Sequence, residues 1–397
     1  MRTMRLRGAV FFLMLALQVA PASGMNYSSL QFDPYVSLRE SLTDNVFNTP
    51  TDTRHDLISA LTPGIKLVYP FRTHQFDFDY HAVLTRYKTY SSDRTNDHFV
   101  NGAVDLKFGS LVGLKLSDVY MKNHFPRSSS ATGFIEKYTN NTVKASLSYQ
   151  MADRSKVQVD LGQSSWSFQD QASFFRDRRE GLLSGYLYYR FQPKTSAFVE
   201  LDRKKADFSD PVSQPLDNAM DSALLGITWE ATRRSQGTVK IGKTWKDYSD
   251  GSVEDYSSWT GSMDIIHRFD EYNTVKVTGL REINETNYQP VAGQLPVRFF
   301  VTTGAAAEVT HRFGYRLSGS LSGSLGTDKF SDPVFDPADN TYKDRKDSTV
   351  LLGLGLKYAA KEWLEVGVDY LARKRDSNIN ANDYSEHRYS LMVSAAF

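Results

Sequence analysis

The sequence predicts an all-β chain closed into a transmembrane antiparallel up-and-down β-barrel of about 18 strands, with 16 the alternative count. Three observations carry that expectation. Apolar and polar residues alternate with period two, the alternating segments run for about 9 to 13 residues, and the connections between them alternate between short and long.

The alternation is clearest in five places. Phe76, Phe78, Tyr80, Ala82 and Leu84 alternate with Gln75, Asp77, Asp79, His81 and Val83. Val143, Ala145, Leu147, Tyr149 and Met151 alternate with Lys144, Ser146, Ser148 and Gln150. Leu317, Gly319, Leu321, Gly323 and Leu325 stand against serines and Arg316, and the stretches 348–360 and 364–375 follow the same rule. Ordinary strands have a modal length of about 5–6 residues, whereas a tilted strand needs about 9–11 to cross a bilayer. The segment length therefore points to a membrane.

Short turns fall at 69–73, 108–111, 151–155, 191–195, 230–235, 268–273, 311–315 and 358–363. Long polar stretches lie between them, among them 87–97, 123–137, 169–180, 207–219 and 331–347. The expectation is thus a barrel with short periplasmic turns and longer extracellular loops. One short turn follows another after 37 to 47 residues, read here as a structural repeat rather than a copied motif. Strands are expected from 34–41 to 385–397, and an even count puts both ends of the barrel on the short-turn side.

The beginning of the chain fits export. Arg2, Arg5 and Arg7 precede an apolar run from Ala9 to Ala20, then small residues. That is the layout of a secretory signal peptide over residues 1–24, with the mature chain beginning at Met25; cleavage after Ala22 fits nearly as well. Residues 25–33 form a short periplasmic lead-in and 34–397 a single barrel. Removing the three leader arginines leaves 44 basic against 46 acidic residues, a balance of −2, so nothing points to nucleic acid. With 22 Tyr, 24 Phe and 5 Trp, mean hydropathy is still −0.44, as strands with one apolar face require. There is no cysteine, which excludes disulfides, thiol catalysis and thiolate metal sites.

The last strand should pair with the first, because an open edge does not survive in hydrocarbon. Tyr389, Leu391, Val393 and Phe397 form its lipid-facing set and the expected closure and assembly signal; the ending resembles that of outer-membrane barrels, and the resemblance implies that the outer-membrane assembly machinery reads it. If the apolar set faces lipid and lipopolysaccharide, the alternate set faces the lumen. The lumen-lining candidates are Asp77, Asp79, His81, Lys115, Lys144, Asp160, Arg190, Glu200, Asp202, Lys240, Lys276, Glu308, Arg316, Lys357, Asp369, Arg373 and Arg388. Both charge signs are interspersed, so no ion-selectivity filter follows. Hydroxyl and aromatic groups among them suit a polysaccharide or smaller sugar, against a simpler role in cross-strand pairing.

Trp229 and Trp363 sit beside short turns, as interfacial aromatics do. Trp166 falls on the opposite face to Val157, Val159 and Leu161 unless Gly162 marks a bulge. The best dyad, Asp79 and His81, reads as a lumenal ion pair. Asp336, Asp339 and Asn340 could hold Ca²⁺ but lack a calcium-loop spacing, so a solvated acidic loop is the reading taken. No HExxH, GxSxG or phosphate-loop motif occurs. No catalytic residue, metal or cofactor is expected, and the chain is not read as an enzyme.

Pro34-Tyr35-Val36, the segment Thr43-Asp44-Asn45-Val46-Phe47, and Asp56 leading to Thr62-Pro63-Gly64 together resemble the start of the exopolysaccharide-associated outer-membrane β-barrels, the putative β-barrel porin 2 family. The resemblance implies a bacterial outer-membrane barrel that passes a polysaccharide outward, with a periplasmic polysaccharide export protein as partner. The alternative is a general or sugar-uptake porin for small solutes.

Overall fold

A computed structural model describes residues 30–127, 135–232, 234–286, 288, 295–336 and 338–397; the expected leader (1–24) and residues 25–29 of the lead-in lie outside these. In chain order the strands are β1 (Gln31–Thr43), β2 (Asp56–Phe71), β3 (His74–Tyr87), β4 (Thr95–Phe108), β5 (Val112–Phe125), β6 (Glu136–Ala152) and β7 (Ser155–Phe168). There follow β8 (Arg178–Gln192), β9 (Thr195–Phe208), β10 (Asn218–Thr232), β11 (Ser235–Tyr248), β12 (Tyr256–Arg268), β13 (Asn273–Glu285), β14 (Phe299–Arg312) and β15 (Leu317–Phe330). A two-stranded hairpin, β16 (Val334–Asp336) and β17 (Thr341–Lys343), precedes β18 (Lys346–Lys361), β19 (Leu364–Ser377) and β20 (Tyr384–Ala396).

Among the described residues, all but β16 and β17 form one 18-stranded antiparallel sheet in which neighbours in sequence pair, β15 pairs β18 across the small hairpin, and β20 returns to β1. β1 begins three residues before the expected barrel start, so the end of the lead-in is already strand.

Period two sets the two faces. Leu201, Leu225, Ile241, Trp259 and Leu325 are among the most exposed large apolar residues, Leu225 at 66 %. A soluble protein would bury such a set, whereas a barrel wall presents it to lipid. The alternate face carries hydroxyls that pair across strands: Ser41 with Ser390 (2.9 Å), Thr142 with Ser164 (2.9 Å), and Ser222 through Thr244 to Thr260 (2.8 and 2.7 Å). Such pairs satisfy polar groups that turn away from lipid.

The seam runs from Tyr35↔Ala396 to Thr43↔Arg388. At the short-turn end the Phe397 N–H donates to the Pro34 carbonyl (2.9 Å), and the Phe397 ring stacks on Trp363 at 6.1 Å. At the long-loop end, Asp44 exchanges bonds with the His387 backbone: its N–H donates to the His387 carbonyl and its carboxylate accepts the His387 N–H. Buried Asn45 donates to the Ser385 and Thr49 carbonyls. The Thr43-Asp44-Asn45 segment thus ties the first loop to the last strand.

One alternative is resolved and one expectation is corrected. Gly162 marks no bulge, because the β6–β7 register is continuous from Tyr138↔Phe168 to Gln150↔Lys156. Trp166 therefore faces the lumen, 5.3 Å from the Tyr138 ring and 5.0 Å under the Arg178 guanidinium. The hairpin repeat is also partly a copied motif. Phe168-Gln169-Asp170, Phe208-Ser209-Asp210 and Tyr248-Ser249-Asp250 recur every 40 residues, and Phe-Ser-Asp-Pro-Val occurs at both 208–212 and 330–334. In the first three loops an aspartate just before the next strand accepts the N–H of that aromatic: Asp177 from Phe168 (2.6 Å), Asp217 from Phe208 (2.6 Å) and Asp255 from Tyr248 (2.8 Å). Each loop is closed on itself by one side chain.

A lumen narrowed at one mouth as the candidate functional site

The register places Asp77, Asp79, His81, Lys115, Lys144, Asp160, Arg190, Glu200, Asp202, Lys240, Lys276, Glu308, Lys357, Asp369, Arg373 and Arg388 on the face opposite the exposed apolar set. Arg316 lies in the turn before β15. The geometry joins most of these to neighbours rather than to one another at a single locus. His81 lies 3.0 Å from Asp79, with Lys66 at 4.0 Å. Lys240 holds both oxygens of Glu200 (2.6 and 2.8 Å), and Arg39 holds Asp369 (2.9 Å). Arg388 and Arg373 flank Glu386 at 2.5 and 3.9 Å. Lys276 and Lys357 sit near Asp264 and Glu365 at 3.9 and 3.6 Å, and Asp160 accepts from Ser146 and Gln158. Paired charges leave a polar wall of low net field.

The decisive feature lies where alternation alone does not lead. The β12–β13 ladder runs from Arg268↔Thr274 and stops at Gly261↔Arg281, whereas β13–β14 pairing continues to Glu285↔Phe299. Above that point β13 leaves β12. Arg281 fills the parting: its guanidinium donates to the Trp259 carbonyl (3.0 Å), Ser258 Oγ (3.1 Å) and Thr303 Oγ1 (2.6 Å). The freed hairpin end packs against the lumen side of β9–β11. Ile283, Phe299 and Val301 join Ala206, Phe208, Leu216, Met220 and Tyr248 in one buried apolar cluster. Lys246, on the lumen face of β11, has no exposed side-chain surface, and its ammonium lies 2.9 and 3.0 Å from the carboxylate oxygens of Glu285. Asn218 Nδ2 reaches the same carboxylate at 3.3 Å. The long-loop mouth is therefore double-layered on one side, with a hydrophobic core inside the barrel.

Other charges missed in the sequence line this mouth. Arg178 and Lys204 share Glu180 at 2.7 and 3.1 Å, and buried Arg176 bonds Glu136 at 2.5 Å. Arg345 makes two bonds to Asp347, and Arg298 bridges Asp332 (2.9 Å) and the Glu254 carbonyl (2.9 Å) across loops. Phe-x-Asp repeats and the Lys246 alternation were the available signals. Outside the wall, burial pushes the carboxyls of Asp177 and Asp217 up, against the backbone N–H bonds of Phe168 and Phe208. In the expected acidic loop, Lys343 lies 2.7 Å from Asp336 and 2.6 Å from Asp339, and its hydrogen bonds hold both carboxyls below the ordinary range. A lysine stands where a calcium ion would have to.

A comparison with one solved structure agrees with this architecture. The outer-membrane protein OpdK of Pseudomonas aeruginosa superposes with a TM-score of 0.51 at 11 % identity, covering 92 % of this chain and 99 % of that one. OccK3 (OpdO) of the same organism gives 0.47 at 16 % identity, covering 92 % and 96 %, and Acinetobacter baumannii OccAB4 gives 0.46 at 11 %, covering 94 % and 100 %. No functionally curated protein matches the sequence. The family described as putative beta-barrel porin 2 matches residues 20–397. A match over nearly the whole length, on a closed 18-stranded barrel, makes this chain a member of the putative beta-barrel porin 2 family, a porin of the bacterial outer membrane.

Proposed function

We propose that the barrel is a passive channel for small polar solutes, narrowed at its extracellular mouth by the inward-packed β13–β14 hairpin. The observation that carries this reading is the hydrophobic cluster and the Lys246–Glu285 pair inside the mouth. A layer locked from within takes up cross-section that a wide polymer conduit would use, while the remaining wall stays polar and charge-paired. Porin family membership and the barrel fold support the same class. The lumen-facing residues Asp79, His81, Lys240, Glu200 and Asp369 line the path as paired groups, and Asp77 accepts from the Gln75 amide (2.7 Å), a lining that a neutral solute passes without displacing.

The test is permeation. Full-length barrel in liposomes should pass mono- and disaccharides and exclude larger oligosaccharides, with conductance through planar bilayers in agreement. A barrel that neither conducts nor swells liposomes sinks the proposal. The second reading, passage of a polysaccharide with a periplasmic export protein docked on the short turns, draws on the resemblance of residues 34–70. Deleting the gene and measuring polysaccharide on the surface, in the periplasm and in the medium separates the two. Polymer lost from the surface and held inside would favour the polymer conduit.

A further inference from the structure

The outer wall carries a stretch of cations on β3–β6 whose electrostatics the channel does not explain. On β3–β6 the outward set at the extracellular end is cationic. Ala82, His98, Lys122 and Thr139 form one cross-strand row, where the β4–β5 ladder ends; above it Leu84 faces Asn96 and His124 faces Lys137, with the His124 ring turned to Asp97 (3.0 Å). Arg86 is the next outward residue on β3, opposite Ser59 of β2. Arg86 and Lys122 are exposed and Lys137 is half-buried. Arg86 donates only to the Thr85 and Thr95 carbonyls, and among the described residues none of the three cations has a carboxylate partner. Asp118, on the same face, lies two rows nearer the periplasm and accepts from Asn141 (2.7 Å). Three other outward rim cations do meet acids, Arg203 with Asp221 (3.8 Å), Lys205 with Asp207 (2.8 Å) and Lys374 with Asp376 (3.0 Å), whereas Lys329 and Lys346, opposed across β15–β18, form a smaller pair with no carboxylate partner among the described residues.

What lies beneath defines the occupant. The next row toward the periplasm is Tyr80, Val100 and Tyr120, with Tyr120 exposed and Tyr80 bonded to His98 at 3.2 Å. Below it come Leu116, Val143 and Leu147, all exposed and apolar. Aliphatic wall, then tyrosines, then cations with no carboxylate partner among the described residues is the order an amphiphile presents: acyl chains, interface, anionic headgroup. We propose that this face of β3–β6 binds an outer-leaflet lipid whose headgroup carries phosphate, with Arg86, Lys122 and Lys137 as its phosphate contacts. Ammonium and guanidinium donors at this depth meet phosphate oxygens in a medium that screens poorly, so the bonds are charge-assisted. The site is independent of what the lumen transports.

Native mass spectrometry of the full-length barrel released from detergent would test it, with bisphosphorylated lipid A as probe and the same lipid after dephosphorylation as control. Wild type should retain the phosphorylated lipid about tenfold better than the dephosphorylated one. Equal retention overturns the proposal without any variant. The combined variant R86Q/K122Q/K137Q should lose that preference, whereas R203Q/K205Q/K374Q, with the same change in net charge, should keep it. Equal loss in both would mean a diffuse charge effect and no site.

Discussion

Lys246 and Glu285 show how a charge survives with no exposed surface inside a barrel. The ammonium has two carboxylate oxygens within 3.0 Å, and the carboxylate adds Asn218. Such a pair does not gain much over an apolar one, but removing one partner leaves a buried charge and costs about 3–5 kcal/mol. Glu285→Gln should therefore displace the hairpin end rather than unfold the barrel, since the wall strands do not depend on it. A cysteine placed at Ile283 should react with an external thiol reagent far faster in Glu285→Gln than alone. Equal rates would mean that the apolar cluster, not the ion pair, holds the hairpin. Half of this pair was legible in the sequence. Lys246 falls on the lumen set by alternation, and the structure keeps it there. Glu285 and Ile283 fall in the same alternate set as the outward residues Val275 and Val277, so period two assigns them to lipid. They are inside because β13 leaves the wall above Arg281, and periodicity records a face of the sheet, never where the sheet bends.

At the scale of elements, the strands were readable and the loops were not. Long alternating segments have one solution in a bilayer, and the expected strands match the observed ones to within a few residues. The loops between β7 and β12 follow a rule written in side chains, the aromatic-x-Asp repeat and the aspartate that closes each loop. Its regularity shows only when the closing hydrogen bonds are seen. Burial of the closing aspartates, acting against those bonds, gives the loops a pH response with a definite sign. Burial raises the Asp177 and Asp217 carboxyls above their ordinary value, so the folded loops bind protons more tightly than unfolded ones. The stabilisation is fully present below the ordinary carboxyl pKa and fades as pH rises through the raised one. Loop amides after Phe168 and Phe208 should exchange more slowly in acid than at neutral pH, after correction for intrinsic rates. Asp177→Asn keeps an oxygen acceptor for the Phe168 N–H without burying a charge. It should hold its loop at least as well at neutral pH and flatten the response there. An unchanged pH dependence in that variant would assign the effect to another group.

For the whole molecule, closure is the property that every strand serves, and Phe397 tests how it is achieved. Two contributions meet at this residue. Its N–H continues the seam by bonding the Pro34 carbonyl, and its ring stacks on Trp363 at the periplasmic rim. Phe397→Ser keeps the first and removes the second, a loss of about 0.5–1.5 kcal/mol for an aromatic pair. That is small beside a seam ladder running from Tyr35 to Thr43. Barrel refolded into vesicles should thus be nearly as stable as wild type by heat-modifiable mobility on gels. If the ring is also what the outer-membrane assembly machinery reads, the amount of folded barrel in cells should fall several-fold, and Phe397→Tyr should restore it. Equal levels of the serine variant in cells would confine Phe397 to packing. A matching loss in vesicles and in cells would instead show that the Trp363 stack nucleates closure, placing the effect in the chain itself rather than in its recognition.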